Sequence, residues 1–371
     1  MSPAVARLAA AGFALLLGAG GSLAGTALRS DEQVRFHDGL AHAIADGRWR
    51  FCVDAWVFEP ERRPGAATLL AASLGVDRDA LSADERARFD ARVGLFLADD
   101  ERGKRPVIRI EGVADDVVLP ASDADGRIRH CVDLASPPPA GRWWRFDGAG
   151  AGRALVLPIA GLSVVSDIDD TIKDTRVLDR HAMLMNTFVR PFKPVAGMAE
   201  AYRAIDAAAS GSPEGGTRFH YLSGSPHPLQ SALAGFLREQ GFPEGSLHLR
   251  EVQVIEDLFG ETGTFAHKRA VLDALMAAAP ARRFVLVGDS GERDPEIYGE
   301  TARAWPGRVV AIRIRDVTGE SREADRYASA FRDLPAALWA VFDDPTALGS
   351  DVAWRDAVGL PVSGGRLSPA H

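Results

Sequence analysis

Two aspartates, Asp167 and Asp169, stand two residues apart directly after the apolar run at residues 162–165. Carboxylates so placed repel each other and are costly to hold beside apolar surface unless a cation lies between them. A hard cation such as Mg²⁺, which prefers oxygen ligands, is the simplest remedy. The pair therefore indicates metal-assisted chemistry, and its ordinary alternative is a solvated turn or a helix cap.

Three more kinds of polar group follow along the chain, each near the end of an apolar run or the start of a helix. These are Ser223 with Gly224, then Lys268, then Asp289 with Asp294. A hydroxyl and flexible backbone donors can hold an oxyanion, and a lysine ammonium can neutralise it. A nucleophile pair, a hydroxyl, an ammonium and a second acidic cluster are together the groups that phosphoryl transfer needs. Ser225 offers the same hydroxyl as Ser223.

The order of these motifs carries a family resemblance. DxDxT after a strand, a serine after a second strand, a lysine and then GDxxxxD resemble the haloacid dehalogenase superfamily of phosphotransferases. The wider strings SDIDDTIKDTRVLDR, YLSGSP and VGDSGERDPEIY are similar more narrowly to the App1-like phosphatidate phosphatase family. The resemblance covers about residues 155–345, roughly half of the chain.

The resemblance implies an Mg²⁺-dependent phosphatase that works through an aspartyl-phosphate. Asp167 would be the nucleophile, and Asp169 would protonate the leaving group and later take a proton from water. Mg²⁺ would be held by the Asp167 carboxylate, the Asp169 backbone carbonyl and Asp289, while Asp294 would support the metal through water or hold Lys268. The groups implied to bind the substrate's phosphate are Thr171, Ser223, Gly224 and Lys268. The Thr171 hydroxyl is also expected to bond local backbone.

The implied substrate is a phosphomonoester, phosphatidate, which would be converted to diacylglycerol. A soluble phosphomonoester or a phosphoprotein is the alternative. Residues 180–193 (RHAMLMNTFVRPFK) interleave apolar and basic side chains. Such a segment can admit acyl chains and allow peripheral membrane contact, and Phe188 and Phe192 are the candidate acyl contacts. The alternative is ordinary core packing.

The elements that must position these groups follow from the apolar runs. Strand-like runs alternate with helical stretches at residues 197–209, 228–239 and 268–278, which predicts a parallel sheet covered on both faces. Functional residues of such sheets gather beyond the carboxyl ends of the strands. We therefore expect a Rossmann-like α/β domain of the haloacid dehalogenase type with a small cap.

The N-terminal half has a different character. Short strands are predicted at residues 47–58, 105–112, 126–135 and 141–147, and a helical stretch at 81–97 interrupts them, which favours a β-rich, sandwich-like domain with a helical insertion. The Gly-rich residues 147–153 are read as a hairpin or linker. Cys52 and Cys131 both fall within strand-like sequence, where they are either a disulfide or two buried thiols.

Four segments follow from this reading: 1–27, 28–154, 155–345 and 346–371. The first resembles a secretory signal peptide, because Arg7 precedes a short apolar run and small residues follow it. This predicts export to the periplasm or the extracellular space, or a membrane tether if the segment is not cleaved. The alternative for the segment is a buried N-terminal helix. The last segment, rich in Gly, Ser and Pro, is predicted to be a loosely ordered tail.

Three other classes of function compete less well. A formal net charge of −8 with no basic run excludes nucleic acid as an expected partner. Gly288–Gly291 (GDSG) and His130 echo serine-protease motifs, but Glu292 replaces the second glycine of that motif. A non-catalytic binding module has no physical reason to keep like charges together.

Overall fold

The computed structural model describes residues 26–60, 65–209, 216–252, 261–346 and 348. The expected leader therefore lies almost wholly outside the described residues, and so does the tail. Among the described residues, no helix is long and apolar enough to cross a membrane. Two sheets organise the described part of the chain, and the change from one to the other falls between Leu157 and Ala160.

The first sheet has eight strands, in the order β3-β2-β1-β8-β7-β4-β5, with β6 also paired to β2. The strands are β1 Gln33–Ala43, β2 Trp49–Glu59, β3 Asp99–Asp100, β4 Val107–Ile110, β5 Val117–Val118, β6 Arg127–Leu134, β7 Trp143–Gly148 and β8 Gly152–Leu157. Strands from both ends contribute to one apolar core, for example Ile108 of β4 and Ile128 of β6. The β-rich half is thus confirmed, but its strands form one curled sheet rather than two facing ones.

Two sequence alternatives are resolved in this sheet. Cys52 and Cys131 are direct register partners on the antiparallel strands β2 and β6, and they form a disulfide. The Gly-rich residues 147–153 form the hairpin between β7 and β8. Gly148, with φ of 126°, takes a conformation there that favours glycine.

The helical insertion of this half contains α1 Ala66–Ser73 and α2 Ala83–Val93. Helix α2 begins at a capping box in which Ser82 and Glu85 exchange hydrogen bonds. The apolar faces of the two helices do not join the core of the first sheet. Leu70, Phe89 and Val93 pack instead in a core of the second half, together with Phe188 and Val189.

The second sheet is parallel throughout, with the strand order β11-β10-β9-β12-β13-β14. Its strands are β9 Ala160–Ser166, β10 Thr217–Pro226, β11 Gly245–Arg250, β12 Ala281–Asp289, β13 Val309–Arg315 and β14 Trp339–Phe342. The predicted parallel sheet is therefore present. Strands β11 and β14, at its two edges, were not predicted.

Helices cover both faces of this sheet. They are α3 Arg180–Leu184, α4 Met198–Ala209, α5 Gln230–Glu239, α6 Glu261–Ala278, α7 Asp294–Ala304 and α8 Asp325–Ala330. A π-helical turn, Met185–Val189, continues α3. Neighbouring residues Val164 and Val165 of β9 belong to two different cores, as expected for a strand with both faces buried.

Candidate active site

The candidate catalytic groups meet at the carboxyl edge of the second sheet. Strand β9 lies between β10 and β12, so the residues that follow these three strands are neighbours. Asp167 follows β9, Ser223 lies near the end of β10 and Asp289 ends β12. The Asp167 amide donates to the Val287 carbonyl at 2.8 Å, which extends the pairing with β12 and fixes the aspartate at the strand end.

Lys268 of α6 joins three carboxylates. Its ammonium donates to Asp167 Oδ1 at 2.7 Å, to Asp294 Oδ1 at 2.6 Å and to Glu292 Oε2 at 3.1 Å. Lys268, Asp167 and Asp294 are buried, while the Glu292 side chain is 30% exposed. The structure thus brings together Asp167, Lys268 and Asp294 as predicted, and it adds Glu292.

Asp289 completes the acidic cluster through backbone and hydroxyl donors. Gly291 N–H donates to its Oδ1 at 2.6 Å, and the Thr171 hydroxyl donates to its Oδ2 at 3.2 Å. The expectation that Thr171 bonds local backbone is therefore wrong, because its hydroxyl reaches across to the next strand end. Gly288 is needed beside this cluster, since a Cβ there would lie 2.3 Å from an Asp294 carboxylate oxygen.

Negative charge exceeds positive charge in this cluster. Burial and the carboxylates of Asp294 and Glu292 raise the pKa of Asp289, and burial also raises the pKa of Asp167 despite the adjacent Lys268. Burial alone would lower the pKa of Lys268, but its carboxylate neighbours raise it well above the usual value. The Lys268 ammonium is thus shared among several buried acids, which is an unfavourable arrangement without a further cation.

A divalent cation fits this donor set. Asp167, Glu292 and Asp294 each offer an oxygen, and these oxygens lie within 4.8 Å of one another. The second carboxylate oxygen of Asp167, Oδ2, is buried and has no hydrogen-bond partner among the described residues. Oxygen-only ligands suit a hard cation such as Mg²⁺. Glu292 is an additional candidate ligand that we did not predict.

Asp169 lies in a different environment from Asp167. Its Oδ2 accepts hydrogen bonds from Ser223 at 2.8 Å and Ser225 at 3.0 Å, so both candidate serines reach the same atom. Its Oδ1 pairs with the Lys173 ammonium at 2.8 Å and accepts from the Thr175 hydroxyl at 2.8 Å. Burial alone would raise the pKa of Asp169, but Lys173 and these hydroxyls lower it to about 2.

Asp170 has a structural role in the loop that follows β9. One of its oxygens accepts from the amides of Thr175 at 2.8 Å and Arg176 at 2.7 Å, and the other accepts from Val177 at 2.6 Å. Its φ of 57° places it in the left-handed region, which Asp tolerates better than most residues. Asp170 therefore shapes the loop that carries Lys173 and Thr175 to Asp169.

A cavity of about 450 Å³ opens next to these groups. Asp169, Ser225, Gly224 and Glu292 line one part of it. Asp167 does not line the cavity, since its buried side chain lies one layer further in and is linked to Glu292 through Lys268. The rest of the wall is mainly apolar with some basic and small polar residues: Thr175, Val177, Arg180, Met183, Leu184, Thr187, Phe188, Pro226, Thr264, Phe265, Gly291, Arg293, Ile297 and Arg326.

The two candidate acyl contacts have separate positions. Phe188 lines the cavity, whereas Phe192 is not among the lining residues. The Phe192 ring packs edge-on against Phe236 and lies 3.7 Å below the Arg92 guanidinium. Core packing is thus the correct reading for Phe192, and Phe188 serves both the core and the cavity wall.

The structure does not bring together Ser290 and His130, the residues of the serine-protease alternative. The Ser290 hydroxyl donates to Asp316 at 3.3 Å and accepts from the Val317 amide at 2.9 Å, so it shapes the loop after β13. His130 lies on β6, in the other sheet.

Lys173 and Thr175 are further functional candidates that the sequence reasoning missed, alongside Glu292. The DxDxT pattern ends before them, although an ammonium four residues after Asp169 is a usable signal when a tight turn follows the strand. Glu292 was considered only as a departure from a protease motif. Its true signal was its place inside GDxxxxD, between Asp289 and Asp294.

Comparison with known proteins agrees with this site. Residues 162–316, which carry every catalytic candidate, match the family described as "Phosphatidate phosphatase APP1, catalytic domain". The segment that forms most of the parallel sheet is thus similar to an App1-type catalytic domain. The narrower resemblance drawn from the motifs, to the App1-like phosphatidate phosphatase family, is confirmed.

Two individual relatives are similar over part of the chain. An uncharacterized protein of Schizosaccharomyces pombe is 31% identical over 170 residues, which is 44% of this chain and 27% of that protein. Phosphatidate phosphatase APP1 of Saccharomyces cerevisiae is 32% identical over 160 residues, 42% of this chain and 26% of that protein. The matched segment thus spans about a quarter of either relative.

Among solved structures, the PilB minor pilin from Streptococcus sanguinis is similar over 90% of this chain and 80% of that chain. Its sequence identity is 10% and its TM-score is 0.27. This likeness is too weak to carry an argument about fold or function.

Proposed function

We propose that this protein is a phosphoric monoester hydrolase that forms a transient aspartyl-phosphate on Asp167, in the manner of the haloacid dehalogenase superfamily. The observation that carries the proposal is the state of the Asp167 carboxylate. One oxygen is held by Lys268, and the other is buried at the end of a central strand, without a hydrogen-bond partner among the described residues. The match to the App1 catalytic domain supports the same class of reaction.

The chemistry divides into two steps. In the first, an Asp167 oxygen bonds to phosphorus, the bond from phosphorus to the ester oxygen breaks, and Asp169 protonates the departing alkoxide. In the second, water attacks the same phosphorus, Asp169 takes a proton from that water, and the acyl-phosphate bond breaks to release phosphate and free Asp167. Ser223 and Lys268 hold the non-bridging oxygens throughout.

Substrate binding prepares Asp169 for its first task. In the free protein Asp169 is ionised, with two serine hydroxyls donating to it. A bound phosphate can accept those two hydrogen bonds and brings negative charge close to Asp169. Both changes raise the pKa of the Asp169 carboxyl, which favours the protonated form that a general acid needs.

Mg²⁺ is the proposed cofactor, held by Asp167, Asp289, Asp294 and the Asp169 carbonyl, with Glu292 as a further candidate. When bound, it supplies positive charge that lowers the repulsion between the anionic nucleophile and the anionic phosphate. Lys268 alone cannot balance the cluster, which supports a requirement for a metal.

The proposed substrate is a phospholipid, phosphatidate. The cavity beside Asp169 has an apolar wall that includes Met183, Leu184 and Phe188, and the basic side chain of Arg180 also lines it. An apolar wall beside a phosphate-binding floor suits an ester whose alcohol carries acyl chains. Peripheral contact with a membrane would follow from such a substrate.

A substrate panel tests the proposal. Purified protein is assayed with and without Mg²⁺ on phosphatidate in mixed micelles, on lysophosphatidate and on soluble phosphomonoesters. Mg²⁺-dependent release of phosphate, fastest from phosphatidate, is expected. Fastest release from a soluble ester or a phosphoprotein would favour that alternative substrate, and no release from any ester would contradict the phosphatase.

A matched pair of variants examines the acyl contact. Met183 lines the cavity, whereas Met185, two residues on and also half-buried, packs against the core. Met183→Gln should lower kcat/KM on phosphatidate relative to a soluble ester by roughly tenfold, because one apolar contact discriminates by about that factor. Met185→Gln should leave this ratio of kcat/KM values unchanged. Equal ratios in the two variants would contradict a contact between Met183 and the acyl chains.

The leader motivates a proposal on location as well. We expect the chain to act in an exported or membrane-tethered form. N-terminal sequencing of the mature protein after cell fractionation tests this, and an intact N-terminus in the cytosolic fraction would contradict it.

A further inference from the structure

The wall of the cavity is held from outside the catalytic segment. The π-helical turn Met185–Val189 carries Thr187 and Phe188, both of which line the cavity. Helix α2, which belongs to the insertion in the first half of the chain, packs directly on this turn. Phe89 and Val93 of α2 share one apolar core with Phe188.

Two arginines of α2 bind the backbone of this turn and of the residue after it. Arg92 donates from Nη1 to the Thr187 carbonyl at 2.9 Å and to the Arg190 carbonyl at 2.7 Å. Arg88 donates from Nη1 to the Val189 carbonyl at 2.8 Å. The last carbonyls of a helical segment have no partner within it, so external donors of positive charge stabilise them.

Arg92 is in an unusual position for a structural arginine. It is 8% exposed, and its described contacts are two carbonyls and the Phe192 ring, 3.7 Å away, rather than a carboxylate. Burial, and then the nearby Arg88, lower the pKa of Arg92 to about 10. A buried cation that pairs with no carboxylate among the described residues is unfavourable for stability, and a positioning role would account for its presence.

The described part of the chain has little other material for a cap. Between Asp169 and β10 its elements are the loop, α3, the π-helical turn and α4, and α4 packs on the sheet. The insertion, residues 66–97, is the element that covers the π-helical turn. Side chains that hold a cavity wall in place decide which leaving groups fit between that wall and the phosphate site.

We propose that the helical insertion is the cap of this enzyme, and that Arg92, assisted by Arg88, is a positioning residue that sets the shape of the cavity wall and so favours esters with a large apolar alcohol. The proposal rests on the proposed phosphatase function and deepens it. The described contacts of Arg92 include none of the catalytic groups. It reaches their surroundings through Phe192, whose ring also lies 5.0 Å from the Lys173 ammonium.

The test compares Arg92→Gln and Arg92→Lys with Arg86→Gln in the full chain. Arg86 lies on the same helix but donates to the Leu81 carbonyl rather than to a carbonyl of the π-helical turn, which makes it a matched control. Arg92→Gln should lower kcat/KM on long-chain phosphatidate by roughly tenfold or more and on p-nitrophenyl phosphate by much less, because the lost contacts act on the leaving-group side. Arg92→Lys should recover part of the difference, and Arg86→Gln should match the unmodified chain. An equal loss on both substrates would overturn the proposal.

A second measurement is independent of activity. Amide hydrogen exchange in residues 183–190 should be faster in Arg92→Gln than in Arg86→Gln, since the turn and the residue after it each lose one external hydrogen bond. Unchanged exchange would show that Arg92 does not hold the wall. If Arg92→Gln fails to fold, Arg88→Gln, which removes one hydrogen bond to a carbonyl, takes its place. The change in substrate preference and the increase in amide exchange are then both expected to be smaller.

Failure of the proposed function remains distinguishable from failure of the cap. If the unmodified chain does not hydrolyse phosphatidate, the activity comparison is made with two soluble esters that differ in the apolar size of their alcohol. Faster exchange together with a changed ratio between those esters would still support the cap. A normal phosphatidate rate in Arg92→Gln would overturn the cap and leave the phosphatase intact.

Discussion

Two buried polar clusters of the molecule differ in how their charges are paired. At the carboxyl edge of the sheet, Asp167, Asp289 and Asp294 share the ammonium of Lys268, and an Asp167 oxygen has no described partner. The second cluster lies where the first sheet meets the second half of the chain, and each of its imidazoles has hydrogen-bond partners on both ring nitrogens. The first cluster has more carboxylates than cations, whereas in the second each imidazole is hydrogen-bonded and the cation is paired with a carboxylate.

The second cluster centres on Arg127 of β6. Its Nη1 donates to His37 Nε2 and to His227 Nδ1, both at 3.2 Å. An arginine only donates, so both imidazoles must be neutral acceptors at those atoms. Their other nitrogens donate in turn, His227 to the Leu249 carbonyl at 2.7 Å and His37 to the Gln230 side chain. An excess of buried carboxylates thus distinguishes the site of chemistry from this structural contact, in which Arg127 also pairs with Glu251 at 2.9 Å, although both clusters are rich in titratable groups.

The largest effect is expected from Asp167→Asn. An amide cannot form an acyl-phosphate, so turnover should fall by several orders of magnitude while the protein folds normally. Steady-state phosphate release and thermal unfolding are measured together. A near-normal rate would falsify the assignment of the nucleophile.

Next in size is Lys268→Met, which removes the ammonium that the acidic cluster shares. Turnover should fall by about 10²–10³-fold, as for loss of one group that stabilises transition-state charge. The melting temperature should also fall at neutral pH, because Asp167 and Asp294 would repel each other, and added Mg²⁺ should restore part of it. A stability loss that Mg²⁺ does not change would argue against a metal among these carboxylates.

The second cluster, around Arg127, predicts a dependence of stability on pH. Burial, and then the Arg127 guanidinium, lower the pKa of His37 from 6.5 to about 4. Between these values the unfolded chain binds more protons than the folded protein, so the free energy of unfolding falls as pH falls from 6.5 to about 4. His37 alone should account for about 3 kcal/mol of this loss. Denaturant unfolding of His37→Gln, which cannot titrate, should show a weaker slope across this range, and an identical slope would contradict the neutral network.

The smallest of these effects is expected from Arg127→Met. The variant leaves His37 and His227 without their shared donor, which should lower the free energy of unfolding by about 1–3 kcal/mol. Turnover by the folded protein should stay close to that of the unmodified chain, because no catalytic group is lost. If turnover fell at unchanged stability, the division between a site of chemistry and a structural contact would be wrong.

The active-site cluster could be predicted from the sequence, whereas the structural cluster could not. Asp167, Ser223 and Asp289 could be found because each lies at or just after the end of a buried strand, and parallel strands bring such ends together. The pairing of Arg127 with His37 and His227 could not be found, since it joins side chains from both halves of the chain with no local pattern. Helix α2 was predicted as a helix, but its apolar face does not reveal which core it joins.

Direct trapping of the covalent intermediate tests the central claim most closely. The protein is mixed with a radiolabelled phosphate ester and Mg²⁺, quenched in acid within the first turnovers, digested and mapped. The account predicts label on the peptide that carries Asp167, lost after hydroxylamine treatment as an acyl-phosphate should be, and no label in Asp167→Asn. Label on another residue, or a labelled Asp167→Asn protein, would contradict it.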